Sequence, residues 1–331
     1  MDLDVVFLGT AGSAPTARRN ASCTLLRRGG ERILLDCGEG AQRQLLQSSI
    51  GLIDLDIVLF SHYHGDHILG LPGLLKTYGL RGRERGLEIY GPTGLKALMS
   101  AFQPLIGSLP FPVRAREIEP GEAVPGNGYA LEAAGATHRT PALCWALVEN
   151  DRPGRFDIDV ARALGIPEGP LFRQLQHGHD VTLDDGTIVE AAAVVRDPRR
   201  GRRVVFSGDT RPCDSVRAAA TDADLLVHEA TFVHEDRERA NETGHSTASA
   251  AAALATEVGV NLLALTHLGG RSMPRVVKAE ARALHANTVV PRDFDSIEIP
   301  FPERGDPIHV KAGAVADREE VSWSEEPNSS H

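Results

Sequence analysis

Residues 57–67 read Ile57-Val58-Leu59-Phe60-Ser61-His62-Tyr63-His64-Gly65-Asp66-His67. An apolar run of strand length ends where three imidazoles and a carboxylate crowd into six residues. Histidine and aspartate together suit a borderline divalent ion such as zinc, and His-x-His alternation beside an Asp-His pair aims donors in two directions. One short segment can therefore serve two neighbouring metal ions, the arrangement that hydrolyses phosphodiesters.

Outward from this motif, short apolar strands alternate with turns. Val5 to Leu8 ends at Gly9-Thr10, Cys23 to Leu26 runs into a Gly-Gly turn, and Ile33 to Leu35 ends at Asp36. Helical signals cover Gly40 to Ser48, Leu69 to Gly79, and Pro92 to Phe102 with proline in its opening turn. The same rhythm returns later, with strands at Val204 to Phe206, Leu225 to Val227 and Leu262 to Leu265, and an Ala-rich helix from Thr247 to Val258. Strands outnumber helices and mix hairpins with crossovers. That pattern predicts an α/β protein of two mixed sheets packed face to face with helices outside, a four-layer αββα sandwich.

Residues 150–190 break the rhythm. Turn signals at Arg152-Pro153-Gly154-Arg155, Gly165 to Pro170 and Asp184-Asp185-Gly186 leave only short helical pieces, too small to form a core. The expected organisation is a catalytic domain over residues 1–302, interrupted by an inserted arm at 151–185. A C-terminal extension at 303–331 loses hydrophobic periodicity, and its last dozen residues read as disordered.

Composition excludes some alternatives. The chain has 331 residues, 42% of them hydrophobic, which is ample for a core. No apolar run approaches the roughly 18 residues of a membrane helix. The acidic start Met1-Asp2-Leu3-Asp4 leads directly into a strand and lacks a secretory pattern. Four scattered cysteines (Cys23, Cys37, Cys144, Cys213) have no paired spacing, so the expected setting is the cytoplasm, with reduced thiols. A net charge of −10 argues against a generally basic surface, although 81–85 and 196–203 are locally basic.

Three further candidate ligands end apolar strands far away in sequence: His138, Asp209 after Ser207-Gly208, and His267. Strand ends point into the crevice where α/β sheets bind ligands. Charge suggests the division of labour. Asp209 is the best bridging carboxylate, His62, His64 and His138 complete one ion, and Asp66, His67 and His267 complete the other. Asp36 reads as a partner that orients a ligand histidine through its free N–H.

This set resembles the metallo-β-lactamase superfamily, and within it the ribonuclease Z family. The carrying motifs run along nearly the whole chain to about residue 300. They include Phe7-Leu8-Gly9-Thr10, Leu35 to Gly40, Ser61 to His67 with Gly70-Leu71-Pro72-Gly73-Leu74, Tyr90-Gly91-Pro92 and Phe206 to Thr210. His228-Glu229-Ala230-Thr231-Phe232 and His245-Ser246-Thr247 are more specific still. The resemblance implies the metallo-β-lactamase fold and two Zn2+ per subunit, with Mn2+ or another divalent ion as the variant. It also implies an endoribonuclease that cuts precursor tRNA 3′ of the discriminator nucleotide, leaving a tRNA 3′-hydroxyl and a trailer 5′-phosphate. Asp66 would act as general base, His245 would protonate the departing 3′-oxygen, and Glu229 would hold the His245 tautomer.

The inserted segment is similar to the family's flexible arm, which clamps the tRNA elbow with a Gly-Pro element, here Gly169-Pro170. Family members of this short form are homodimers in which one subunit's arm holds the tRNA cut by the other. Arg152, Arg155, Arg162 and Arg173 are the arm's candidate phosphate ligands. Arg19 and Asn20 belong to a loop that the family usually writes P-x-K-x-R-N and that discriminates CCA-bearing 3′ ends. Here it reads Pro15-Thr16-Ala17-Arg18-Arg19-Asn20, so Ala17 stands in place of lysine. A second departure, Cys144-Trp145 where a Gly-Tyr pair is expected, keeps an aromatic side chain and reads as a packing variation.

Overall fold

Side-chain alternation decides the layering. In β1 (Leu3–Gly9), Val5 and Phe7 face one apolar cluster and Val6 and Leu8 another, and all four are buried. A strand apolar on both faces has to be covered on both. The computed structural model describes residues 1–52 and 55–313. After β1 come β2 (Cys23–Arg28), β3 (Glu31–Leu35), β4 (Ile57–Leu59), β5 (Leu87–Gly91), β6 (Val113–Glu117), β7 (Ala123–Pro125), β8 (Tyr129–Gly135) and β9 (Leu143–Glu149). A small hairpin, β10 (Val181–Thr182) and β11 (Ile188–Val189), precedes β12 (Arg203–Phe206), β13 (Leu225–Glu229) and β14 (Leu262–Thr266). The chain closes with β15 (Thr288–Val289), β16 (Ser296–Glu298) and β17 (Ile308–Val310).

The first sheet has the order β17-β16-β1-β2-β3-β4-β5-β6 and the second β15-β14-β13-β12-β9-β8-β7. Pairing is antiparallel from β17 to β3 and parallel from there to β6. In the second sheet β12 to β15 are parallel and β7, β8, β9 join antiparallel. Val5, Phe7, Leu35 and Leu59 meet Leu131, Trp145, Val204 and Val227 between the sheets. Outside the first sheet lie Leu45, Leu71, Leu75 and Phe102, and outside the second lie Ala251, Ala255, Val277 and Ala281. Three apolar layers between four layers of structure give the αββα sandwich. Among the described residues no helix is long and apolar enough to cross a membrane.

Trp145, buried between the sheets, also ties them by hydrogen bonding. Its indole Nε1 donates to the Phe60 carbonyl at 3.0 Å, and Leu143 N donates to the Ser61 carbonyl at 2.8 Å. The end of β4, where the histidine motif begins, is thereby fastened to the start of β9.

Two boundaries differ from the sequence reading. The first sheet continues past residue 302, because β17 pairs with β16 through Ser296↔Val310 and Glu298↔Ile308. The last dozen residues, expected to be disordered, lie outside the described residues. The inserted segment is also longer than 151–185 and has a core after all. Bridges Arg152↔Arg199 and Phe156↔Val195 form a stalk, and Ala161, Ile166, Leu175, Val181, Val189 and Val194 cluster beyond it. The short helices Ile158–Ala163 and Pro170–Gln176 bury one residue each, so only their combination with the hairpin closes a core.

The stalk is rooted in a buried charge cluster. Glu149 accepts from Arg28 Nε at 2.8 Å and from Arg202 Nε at 2.7 Å and Nη2 at 2.8 Å. Arg202 spends its remaining donors on the carbonyls of Ile299 and Met1. Burial pushes the Glu149 carboxyl up, but Arg202 and Arg28 outweigh it and hold it below the ordinary 4.5. Its contribution to stability is therefore full above that value and declines as pH falls through the lowered one. Glu149→Ala leaves two buried guanidinium groups without their anion, and urea denaturation should show a loss of about 3–5 kcal/mol.

Candidate metal centre

Every predicted ligand sits at the same edge of the sandwich, just past a strand end. Asp36 follows β3, His62 to His67 follow β4, His138 lies in the β8–β9 connection, and Asp209 and His267 follow β12 and β14. Glu229 is the last residue of β13. Parallel strands send their carboxyl ends to one edge, so the crossovers deliver their side chains to one crevice. Gly208 is needed to make the turn before Asp209. Its φ is 59°, and a Cβ there would stand 2.8 Å from the Ser61 Cβ and 2.9 Å from the Leu143 carbonyl.

The donors form two overlapping groups. His62, His64 and His138 offer nitrogens to one point, and an Asp66 oxygen meets nitrogens of His67 and His267 at another, while His62 and His67 also converge with Asp209. Asp209 Oδ2 is central, 3.4 Å from both His67 Nε2 and His267 Nε2 and 3.7 Å from His62 Nε2. His62 Nε2 and His138 Nε2 lie 3.0 and 3.2 Å from His64 Nδ1.

Inward nitrogens are aimed by the outward ones on the same rings. His67 Nδ1 bonds Asp36 Oδ2 at 2.7 Å, His138 Nδ1 bonds the Gly244 carbonyl at 2.7 Å, and His267 Nδ1 bonds Thr231 Oγ1 at 2.8 Å. His62 Nδ1 lies 3.0 Å from Ser61 Oγ, which itself donates to Asp36 Oδ2 at 2.8 Å. Such outer bonds fix the tautomer that leaves Nε2 as a lone pair facing inward. The hydrogen bond expected of Asp36 from sequence is thus present. Asp36 and His267 hold φ of 57° and 54°, a left-handed backbone that non-glycine residues adopt at a cost and that concentrates at functional sites.

Electrostatics agree with a cation site. Burial lowers the His62, His64 and His138 imidazoles, so they stay neutral donors. Burial also lowers His67 and His267, but Asp209 and the neighbouring carboxylates outweigh it and raise both, so a cation there would have to displace a proton. Burial pushes the Asp209 and Asp66 carboxyls up, but the surrounding histidines outweigh it and both are held well below the usual carboxylate range. Neutral imidazole and ionised carboxylate are the forms that bind a borderline dication. The residues fit two such ions.

His245 and Glu229 stand beside this cluster. His245 Nδ1 bonds Glu229 Oε1 at 2.9 Å, and the His245 ring stacks on His267 with centroids 5.5 Å apart. His245 also lies close enough to His138 and Asp209, or to Glu229 and His267, to complete a ligand set. Hydrogen bonding disfavours that use. Glu229 accepts from Thr210 N at 2.9 Å and from Thr231 N and Oγ1 at 3.2 and 2.6 Å, so its oxygens are filled, and His245 Nδ1 is spent on Glu229. His228 turns its Nδ1 to the Glu229 carbonyl at 2.7 Å and takes no place in the cluster. Sequence reasoning missed Thr231, which joins His267 to Glu229. The His-Glu-Ala-Thr motif was its signal.

The expected RNA contacts divide. Gly169 and Pro170 are exposed and line a cleft with Arg173, Gln174, His177 and His179. Gly169 has φ 130° and ψ −130°, which a Cβ would disfavour. Arg155 and Arg173 are exposed and have no carboxylate partner among the described residues. Arg152 is a correction. Its Nη1 and Nη2 bind Glu303 at 2.8 Å each and its guanidinium stacks on Phe301, so it fastens the stalk instead of facing phosphate. Arg162 is paired with Glu168 at 2.7 Å. Arg19 Nη1 and Asn20 Nδ2 are used within the fold, on Thr10 and Pro291 and on the Glu39 carbonyl.

Two mixed sheets, outer helices and a strand-end His/Asp cluster define a metallo-β-lactamase-fold hydrolase. Family models agree: "Metallo-beta-lactamase superfamily" matches residues 16–150 and "Beta-lactamase superfamily domain" residues 156–268. Ribonuclease Z of Myxococcus xanthus is 47% identical over 303 residues, 90% of this chain and 98% of that protein. Ribonuclease Z of Methanosarcina acetivorans is 44% identical over 302 residues, 90% of this chain and 99% of that protein. The crystal structure of the human tRNase Z short form superposes with a TM-score of 0.65 at 27% identity, covering 90% and 99% of the two chains. The chain belongs to the ribonuclease Z family of endoribonucleases.

Proposed function

We propose that this chain removes the 3′ trailer from precursor tRNA with two zinc ions, cutting 3′ of the discriminator nucleotide to leave a tRNA 3′-hydroxyl and a trailer 5′-phosphate. The carrying observation is the His245–Glu229 pair at 2.9 Å beside a donor set for two cations. A dinuclear site alone serves many hydrolases, but a 3′-oxygen leaving from a ribonucleotide needs a proton. Kinship with ribonucleases Z, and likeness to a tRNase Z, supply the RNA substrate.

His62, His64 and His138 would hold one zinc, Asp66, His67 and His267 the other, and Asp209 both. Bound there, the ions supply Lewis acidity toward water and phosphate. The chain's own groups do the rest. Asp66 turns Oδ2 to Ser13 N at 2.8 Å and to His267, which leaves Oδ1 to take the proton of the attacking water. Glu229 accepts from Nδ1 of His245 and would hold the ring as an imidazolium, whose Nε2–H is the proton given to the leaving 3′-oxygen. Water then adds to phosphorus as the P–O3′ bond breaks.

The arm supports the same substrate and a homodimer. It is rooted where β9 ends and β12 begins, whereas Asp209 lies beyond the other end of β12. At a strand rise of about 3.3 Å per residue, that separates root and metals by roughly 20 Å. An arm leaving the far end reaches RNA held by a second subunit more readily than RNA at its own metals. The free cysteines fit a cytoplasmic setting.

The test is to incubate the protein with a precursor tRNA and map the cut to the nucleotide, with and without chelator. Replacing residues 157–194 by a short turn across the stalk should abolish tRNA cleavage while a small chromogenic phosphodiester is still hydrolysed. Equal loss of both activities would remove the arm from substrate recognition, and a cut elsewhere would overturn the reading.

A further inference from the structure

In a chain of net charge −10, unpaired positive charge gathers along one groove. Two clefts of about 690 and 370 Å³ share Arg19, Pro274 and Arg292 and so are continuous. Arg18, Arg43 and Arg292 line the first, and Arg275, Lys278, Arg292 and Lys311 line the second. All six are exposed, and among the described residues none forms an ion pair. On the arm only Arg155 and Arg173 share this property, since Arg152, Arg162, Arg196 and Arg199 are each paired with a carboxylate. The groove's own carboxylates face inward. Asp293 accepts from Thr10, Asn20 and Gln44, and Asp295 from Arg292 N, Ala312 N and His309.

One wall of the groove begins beside the ligand cluster. The loop that lines it starts at Gly12, where a Cβ would stand 2.7 Å from His267 Nδ1, and continues through Ser13, whose N–H binds Asp66. It then runs on to Thr16–Asn20 in the first cleft. Phe294 lines the same cleft, held at φ 73°, an unusual backbone for a bulky residue. Cations along a track with an aromatic face are the means by which proteins hold single-stranded nucleic acid.

We infer that this groove binds the single-stranded 3′ trailer of the precursor. The inference rests on the cleavage reading above. A cut 3′ of the discriminator leaves one unpaired nucleotide on the tRNA side. A groove lined by several cations, one wall of which starts beside the metal ligands, is therefore assigned to the strand beyond the cut.

The test is Arg275→Glu/Lys278→Glu/Lys311→Glu, three exposed positions away from the metals, with folding checked by thermal denaturation. Two precursors are compared, one with a long trailer and one with a single trailer nucleotide. The variant should raise KM for the long-trailer precursor on the order of tenfold or more at low salt. The slope of log KM against log salt should fall by about two, near 0.7 for each single-strand phosphate that is no longer neutralised. The single-nucleotide precursor should be cut as by the wild type. Equal loss on both precursors would place the tRNA body in the groove, and no change on either would take the groove off the RNA path. Both outcomes overturn the inference and leave the cleavage reading standing. A wild-type protein that cuts neither precursor overturns the cleavage reading, and the groove's assignment with it.

Discussion

Asp209→Ala should purify short of zinc and lose nearly all cleavage of precursor tRNA. Its Oδ2 lies within 3.8 Å of nitrogens on His62, His67, His245 and His267, and so reaches both ligand groups. Two dications a few ångströms apart need a shared anion, and no neighbouring carboxylate can replace it. Glu229 is filled with hydrogen bonds, and Asp66 serves one side only. Losing an outer hydrogen-bond partner costs a metal site roughly 10–100-fold in affinity or activity, and loss of the bridge should exceed that. Metal analysis of the purified variant, with turnover of RNA and of a chromogenic phosphodiester, checks it. Both activities should fall together. Asp209→Asn, which keeps the shape and removes the charge, guards against a folding artefact and should fail in the same way. A metal-replete, active variant would sink the two-ion assignment.

His245→Ala is expected to behave differently, and the contrast is diagnostic. The imidazole is spent on Glu229 through Nδ1 and is not needed for either ligand set, so metal content should stay normal. Cleavage of precursor tRNA should slow by roughly 10²–10⁴-fold, the usual worth of a positioned general acid. A nitrophenyl phosphodiester, whose leaving group departs without a proton, should be hydrolysed nearly as before. Equal damage to both substrates would show that His245 shapes the site instead of protonating a leaving group.

Much of this was legible in the sequence, for identifiable reasons. Strands buried on both faces write continuous apolar runs, so Val204 to Phe206 and Leu262 to Leu265 were plain, and the ligands stand at their ends. The helix Pro274–Leu284 was missed although it opens on proline and is amphipathic; it buries only Val277 and Ala281. The arm's core was missed because Ile166, Leu175, Val181 and Val189 come from four short pieces, none with a full period. Arg152 misled for a related reason. Its partner Glu303 is 151 residues away, and no local pattern announces such a pair. The outer bonds of the ligand histidines divide in the same way. Ser61 and Asp36 lie inside recognisable motifs, whereas the Gly244 carbonyl is a backbone atom with no sequence signature.

Thr231 carries a consequence for how substitutions will combine. Its hydroxyl receives the bond from His267 at 2.8 Å and gives one to Glu229 at 2.6 Å. A single oxygen therefore joins the His267 ring to the Glu229 carboxylate that holds His245. Displacement of His267 should disturb Thr231, and through it Glu229 and His245, so damage on one side is expected to reach the other. The energetic effects of substitutions at His267 and His245 will not sum as those of independent positions do. Under the proposed mechanism, binding of the ions and readiness to release the 3′-oxygen would be coupled through one hydroxyl.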